Sequence, residues 1–282
     1  MIKKYVGKYF PIFLLPTFLA FLISFLLPFV IGMYLSFCEF TTVSNASFVG
    51  VNNYVRVFSE GGDFLSALWF TVKFTIVAVI TVNVFAFLLA LVLTRPMKGT
   101  NLFRTGFFMP NLIGGIVLGY IWQIIINGVL GYFGVDITYA AKYGFWGLVI
   151  LTNWQQIGYM MIIYIAGIQN VPSDLLEAAD IDGASYAQKL RYIILPMVSQ
   201  AVTICTFLTL TNSFKLFDQN LALTGGAPGK ETAMLALDIY KTFYNRVGYE
   251  GVGQAKAVIF FLIVALIALV QQKLTSRGAD EA

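Results

Sequence analysis

The sequence has no histidine, only two cysteines and few charges: Lys, Arg, Asp and Glu make up 11% of its 282 residues, against about 25% in soluble domains. Without histidine the chain lacks the commonest proton shuttle and metal ligand. Cys38 and Cys205 stand far apart with no second thiol near either, which excludes a disulfide framework and a cysteine metal site. The scarcity of charge argues against a disordered chain and against a nucleic-acid surface, since the first needs high net charge and the second a dense basic face. What is present is apolar, with 59% hydrophobic and 16% aromatic residues. That is more than a soluble fold of this length can hide from water, so the chain needs lipid as its solvent.

A bilayer core of about 30 Å takes roughly 20 helical residues. Six charge-free runs approach or exceed that length, at 9–38, 74–94, 105–135, 143–173, 192–214 and 257–272, the last starting a turn earlier near Gly253. An unpaired backbone amide in hydrocarbon costs several kcal/mol, so each run is read as a helix. None shows the alternation that barrel strands require. The expectation is an all-α membrane protein of one domain, residues 1–282, with six transmembrane helices at about 10–37, 68–94, 105–127, 145–168, 193–215 and 253–272. Lys3, Lys4 and Lys8 precede the first run as they would in a secretory signal. That run is too long for a signal core and has no small-x-small cleavage site, so it is read as a retained span.

Orientation follows from basic residues in short loops. With the N-terminus inside, the inner side collects Lys3, Lys4, Lys8, Arg95, Lys98, Arg104, Lys189, Arg191, Lys273 and Arg277, while the two short outer loops hold Arg56 and Lys142. Both termini are therefore expected in the cytoplasm, and the long segment 218–252 outside, where Leu235, Leu237, Ile239 and Tyr240 suggest a short packed element.

The segment 172–196, on the inner side between the fourth and fifth spans, differs from the others. Ser173 or Asp174 is placed to cap a helix, Asp182-Gly183 to turn the chain, and Ser185 to start a second short helix, with Pro196 at the entry to the next span. This predicts a helix-turn-helix on the inner face. Within it, Glu177-Ala178-Ala179, Gly183 after three residues, and Ile193-x-Leu195-Pro196 after nine more resemble, without gaps, the E-A-A loop of membrane subunits of binding-protein-dependent ABC importers. Leu223-Thr224-Gly225-Gly226-x-Pro228 is similar to the carbohydrate group of that superfamily, which includes the maltose and oligosaccharide systems. The likeness runs from about Leu102 to the C-terminus. It departs at Ala227, where many relatives continue a glycine run, and in a short first outer loop without the inserted domain of the maltose-type subunit.

The resemblance implies a type I ABC-importer permease-like bundle in a bacterial or archaeal plasma membrane. Glu177, Ala178, Ala179, Asp182, Gly183, Leu195 and Pro196 would form its ATPase-coupling loop. It also implies partners: a second six-span permease, usually a different chain, two copies of a cytoplasmic ATPase, an external sugar-binding protein, and a carbohydrate cargo. No nucleic acid is expected, nor a cofactor or metal on this chain; ATP and magnesium would be used by the partner ATPase. Gly229-Lys230 fails as a phosphate loop, because the motif needs glycine at 224, which is Thr224, and Ser or Thr at 231, which is Glu231. The chain is thus expected to be a transporter subunit with no ATPase site of its own.

No acid or base lies near the centre of any run, which favours a neutral cargo recognised by amides, hydroxyls and aromatic surfaces. By position relative to the E-A-A loop, Asn111, Gly115, Gln156, Thr209 and Ser213 fall where maltose-type permeases line their sugar site. Gln123, Asn153 and Asn212 are added from the residues themselves. Polar residues in membrane helices also serve as hydrogen-bonded links between helices, and Gly115-x-x-x-Gly119 reads first as close helix packing. An anionic cargo such as glycerol-3-phosphate is the alternative on the same scaffold; it would need a basic residue or a helix N-terminus aimed at the midplane. An intramembrane enzyme would need a buried nucleophile with a base, or a metal cluster, and no such residue set is present in the sequence.

Overall fold

The computed structural model describes residue 12 and residues 14–59, 63–95 and 97–280, apart from the side chains of 272 and 274–280. In chain order the elements are helix α1 (Leu14–Leu35), strands β1 (Cys38–Glu39) and β2 (Ser47–Phe48), then α2 (Asn52–Ser59), α3 (Asp63–Leu93) and α4 (Thr100–Phe108). They continue with α5 (Gly115–Gly131), α6 (Ala141–Gln169), α7 (Ser173–Ile181), α8 (Tyr186–Met197), α9 (Ser199–Phe214), α10 (Asp218–Leu223), α11 (Leu235–Asn245) and α12 (Glu250–Asp280). The residues divide into two units, one of 1–62 with 239–261 and one of 63–238 with 262–282.

In the first unit, α1 is apolar all round and has a wide turn at Leu22–Leu26, just before Pro28. A proline cannot donate to the helix ladder, and a wide turn absorbs the missing bond. The chain then forms a short antiparallel hairpin in which Cys38 pairs with Phe48. Buried Asn53 ties α2 to the end of α1 by donating to the carbonyls of Ser36 and Cys38 at 3.0 and 2.8 Å. Gly251 packs here as well, since a Cβ on it would lie 2.3 Å from the Cys38 carbonyl oxygen.

The second unit is built on α3, which packs chiefly against α6 and α9. Its buried positions Ala67, Thr71, Phe74, Ala78, Val82, Ala86, Ala90 and Leu93 recur every three or four residues, and the alanines let neighbouring helices approach. One core gathers Val82, Ala86, Met160, Tyr164, Val198 and Cys205. A second gathers Phe70, Phe74, Leu118, Leu148, Leu151 and Leu223.

Among the described residues, four helices are long and apolar enough to cross a membrane: Leu14–Leu35, Asp63–Leu93, Ala141–Gln169 and Glu250–Gln271. Two further pairs would each have to count as one broken span to make six. The run expected as one helix over 105–127 is two helices meeting at 103°, α4 with the 3-10 turn Met109–Leu112 and then α5. Pro110 supplies the cause, and Ile113 and Gly114 complete the break in extended conformation. The run expected over 193–215 likewise bends by 67° between α8 and α9, just after Pro196. The segment 218–252, expected as an external loop, contains α10 and α11, and Leu235 and Leu237 are fully buried. Lys3, Lys4 and Lys8, which carry part of the orientation argument, and the first residues of the expected span at 10–37 lie outside the described residues.

Candidate functional site

The break between α4 and α5 shapes a polar cleft. It leaves Asn111 on the 3-10 turn and frees the Ile113 carbonyl, to which Gln155 of α6 donates at 3.3 Å. Gln219 of α10 donates to Gln155 at 2.8 Å, so a chain of two amides closes the floor. The resulting cavity of about 380 Å³ is lined by Asn111, Gln155, Gln156, Asn212, Lys215, Leu216, Phe217, Asp218 and Gln219. Gln156 is only 6% exposed, and its Oε1 has no hydrogen-bond partner among the described residues; the Oγ of buried Ser213 is in the same position. A buried acceptor left unpaired costs about 1–3 kcal/mol. A ligand hydroxyl donating to Gln156 would recover it.

The structure thus brings three of the sequence-derived path residues, Asn111, Gln156 and Asn212, into one cleft. Buried Ser213 lies outside that lining, and the other four are used differently. Gln123 donates to the Leu223 carbonyl at 2.9 Å and joins α5 to α10. Asn153 donates to Thr81 at 2.9 Å and to its own helix at the Val149 carbonyl. Thr209 bonds back to the Cys205 carbonyl and accepts from Asn83, which in turn accepts from the Tyr164 hydroxyl, so α9, α3 and α6 share one buried network. Gly115 and Gly119 are places of close approach to α10: a Cβ would lie 2.7 Å from that of Asp218 in the first case and 2.6 Å from that of Ala222 in the second. The sequence reading missed Gln155, Lys215, Asp218, Gln219 and Asn83. Lys215, Asp218 and Gln219 lie just beyond the end of the fifth apolar run, while Gln155 lies mid-run on α6 and meets Gln219 and the Ile113 carbonyl beside the 103° break.

The second candidate is the pair α7 and α8. Helix α7 begins after Pro172 with no side-chain cap, and Ser173 donates to Asp174 instead of capping the helix as expected. Its C-terminus is closed as anticipated. Gly183 takes φ +74°, its N–H bonds the Asp180 carbonyl at 3.1 Å, and the Ala184 N–H reaches the Ala179 carbonyl at 2.9 Å. These are the paired bonds of a Schellman turn, in which glycine avoids a Cβ penalty. Ser185 then caps α8 in a reciprocal box with Gln188. Lys189 pairs with Asp180 at 2.6 Å across the two arms, and the Arg95 guanidinium stands 4.9 Å above the Tyr186 ring. Leu176, Leu190 and Ile193 pack against the core around Val198, whereas Leu175, Glu177, Ala178, Ile181 and Tyr192 are exposed. Leu195 and Pro196 are exposed at the bend.

The family model described as "Binding-protein-dependent transport system inner membrane component" matches residues 98–278. The chain belongs to this family. Among its relatives is a probable starch degradation products transport system permease protein of Thermoanaerobacterium thermosulfurigenes, 43% identical over 98% of this chain and 96% of the relative. A multiple sugar-binding transport system permease protein of Streptococcus mutans is 29% identical over 98% of each chain. Among solved structures, a chain of a bacterial ABC transporter involved in import of the acidic polysaccharide alginate superposes with a TM-score of 0.82, at 20% identity and covering 98% of both chains. That likeness fixes the fold as the type I ABC-importer permease fold. Family members are inner-membrane components, and in this one α7 and α8 hold the E-A-A residues, while the amides of the break line the cleft.

Proposed function

We propose that the chain is the permease subunit of an ATP-driven importer for a neutral oligosaccharide, delivered by an external binding protein. The observation that carries this reading is the cleft in which Asn111, Gln156 and Asn212 converge, with a buried amide oxygen awaiting a donor. Saccharide hydroxyls are such donors. Lys215 and Asp218 enter the same lining, so its two charges cancel and give no net preference for an anion over a neutral solute. Starch-type glucose oligomers are the first cargo to assay, given the name of the relative at 43% identity.

In this reading the termini and the α7–α8 arms face the cytoplasm, and six spans are reached by counting each bent pair once. Leu175, Glu177 and Ile181 offer a mixed apolar and acidic edge to a separate ATPase, two copies of which act with a second permease. Closure of the ATPase pair moves the arms, and with them α6 and α9, to which Leu176 and Ile193 are anchored.

The test is uptake into proteoliposomes containing the assembled importer. Gln156→Ala and Asn212→Ala should each slow uptake of a labelled glucose oligomer about two- to tenfold, the worth of one hydrogen bond, with ATPase association unchanged. Unaltered uptake in both variants removes the cleft from the cargo path.

A further inference from the structure

A second opening, between α5 and α6, is unlike the polar cleft. It is a groove of about 560 Å³ whose lining includes Trp122, Ile126, Leu130, Trp146 and Ile150, with Lys142 the one charged residue among its walls. Lys142, Trp146 and Ile150 stand at successive turns of α6 and so on one face. Read along the helix, that face presents an ammonium, then an indole, then an aliphatic side chain. The same order is met on moving from a lipid headgroup through the aromatic belt into the acyl region. The Lys142 ammonium also lies 5.0 Å from the centroid of the Tyr143 ring, which holds the cation at this end of the groove. Gln156, on the polar cleft, follows Ile150 by six residues and faces about 120° away round the helix.

We propose that this groove binds an anionic phospholipid, with one acyl chain along Trp122, Ile126 and Ile150 and the phosphate on Lys142. Its volume lies within the range of small-molecule sites, and its single cation complements a phosphate. Its walls argue against a packed helix from another protein. Membrane helices pack through small residues, and the one small residue here, Gly147, is already covered by the chain's own Ile137 and Ile126, 2.8 and 3.2 Å from where its Cβ would be. Large, irregular apolar walls suit a flexible chain.

The proposal rests on the chain's lying in a membrane and not on its cargo, so the test omits transport. The full chain is reconstituted into phosphatidylcholine vesicles containing a small fraction of chain-brominated phosphatidylglycerol or, in parallel, chain-brominated phosphatidylcholine, and tryptophan fluorescence is followed. Brominated phosphatidylglycerol should quench at about a fivefold lower mole fraction, the factor one lysine contributes at an anionic surface. Lys142→Gln should abolish that preference, and the double variant Trp122→Phe with Trp146→Phe should remove most of the headgroup-dependent signal. Equal quenching by the two lipids overturns the proposal, as does a preference that survives Lys142→Gln. Absence of quenching by either lipid also overturns it.

Discussion

At Gly158 the contribution of a residue lies in what it lacks. A Cβ there would stand 1.8 Å from the Phe107 carbonyl oxygen, a backbone atom with no rotamer to escape through. Gly158→Ala must therefore push α4 off α6, and overpacking of this kind costs about 1–3 kcal/mol. Thermal unfolding in detergent should show it as a midpoint lowered by roughly 2–4 °C for each kcal/mol; an unchanged midpoint would mean that the two helices cross more loosely than this contact requires. The four-residue spacing of Gly115 and Gly119 is legible in the sequence as a packing motif. Gly158 carries no such signal, because its partner is a carbonyl that reaches it only through the angle at which α4 crosses α6. The same distinction separates Gln156, legible as a polar residue at membrane depth, from Gln155 and Gln219, whose pairing at 2.8 Å needs the broken segment beside them.

At the scale of elements, the helix-turn-helix was the most legible part of the chain, since its signals are local: a glycine in the left-handed region and a serine with glutamine three residues on. Only the N-terminal cap of α7 departs from expectation, with Pro172 occupying the position and Ser173 turned to Asp174. The apolar runs announced helical structure. They did not announce the 103° and 67° bends, because hydropathy continues unbroken through Pro110 and Pro196 while the backbone does not. Gly183 sits at φ +74° and donates to Asp180, whereas proline is fixed near −65° and has no N–H. Gly183→Pro should open the angle between α7 and α8, and combined with Glu177→Ala it should abolish ATP-driven uptake while the protein still inserts into the membrane. Uptake that persists in the double variant removes the coupling role from these arms. Asp180→Asn, by contrast, breaks an ion pair whose acid is 61% exposed; such pairs are worth about 0–1 kcal/mol, and both stability and uptake should stay near wild type.

For the molecule as a whole, the exposed surface sets the problem. Side chains such as Ile124, Leu102, Leu112 and Ile23 are more than 60% exposed and can be covered only by lipid or by other membrane helices. The polar cleft is open on one side, and polar groups in an open cleft cannot be left facing hydrocarbon, where each unsatisfied one costs several kcal/mol. A cleft that carries sugar must therefore be completed by a second wall of similar polarity, which a partner permease would supply. Lys230, in the segment whose Gly229-Lys230 pair lacks the glycine at 224 and the Ser or Thr at 231 of a phosphate loop, is paired with Asp63 at 2.6 Å, and Thr224 and Thr232 are tied to Asn220. Both considerations lead to one measurement. Purified gently from its native membrane, the chain should bring with it a second permease and an ABC ATPase, in a ratio of one permease of each kind to two ATPase copies. Removal of the ATPase should end uptake without dissociating the permease pair. A chain that transports sugar alone in reconstituted vesicles, with neither partner present, would overturn both the proposed second wall of the cleft and the proposed dependence on a partner ATPase.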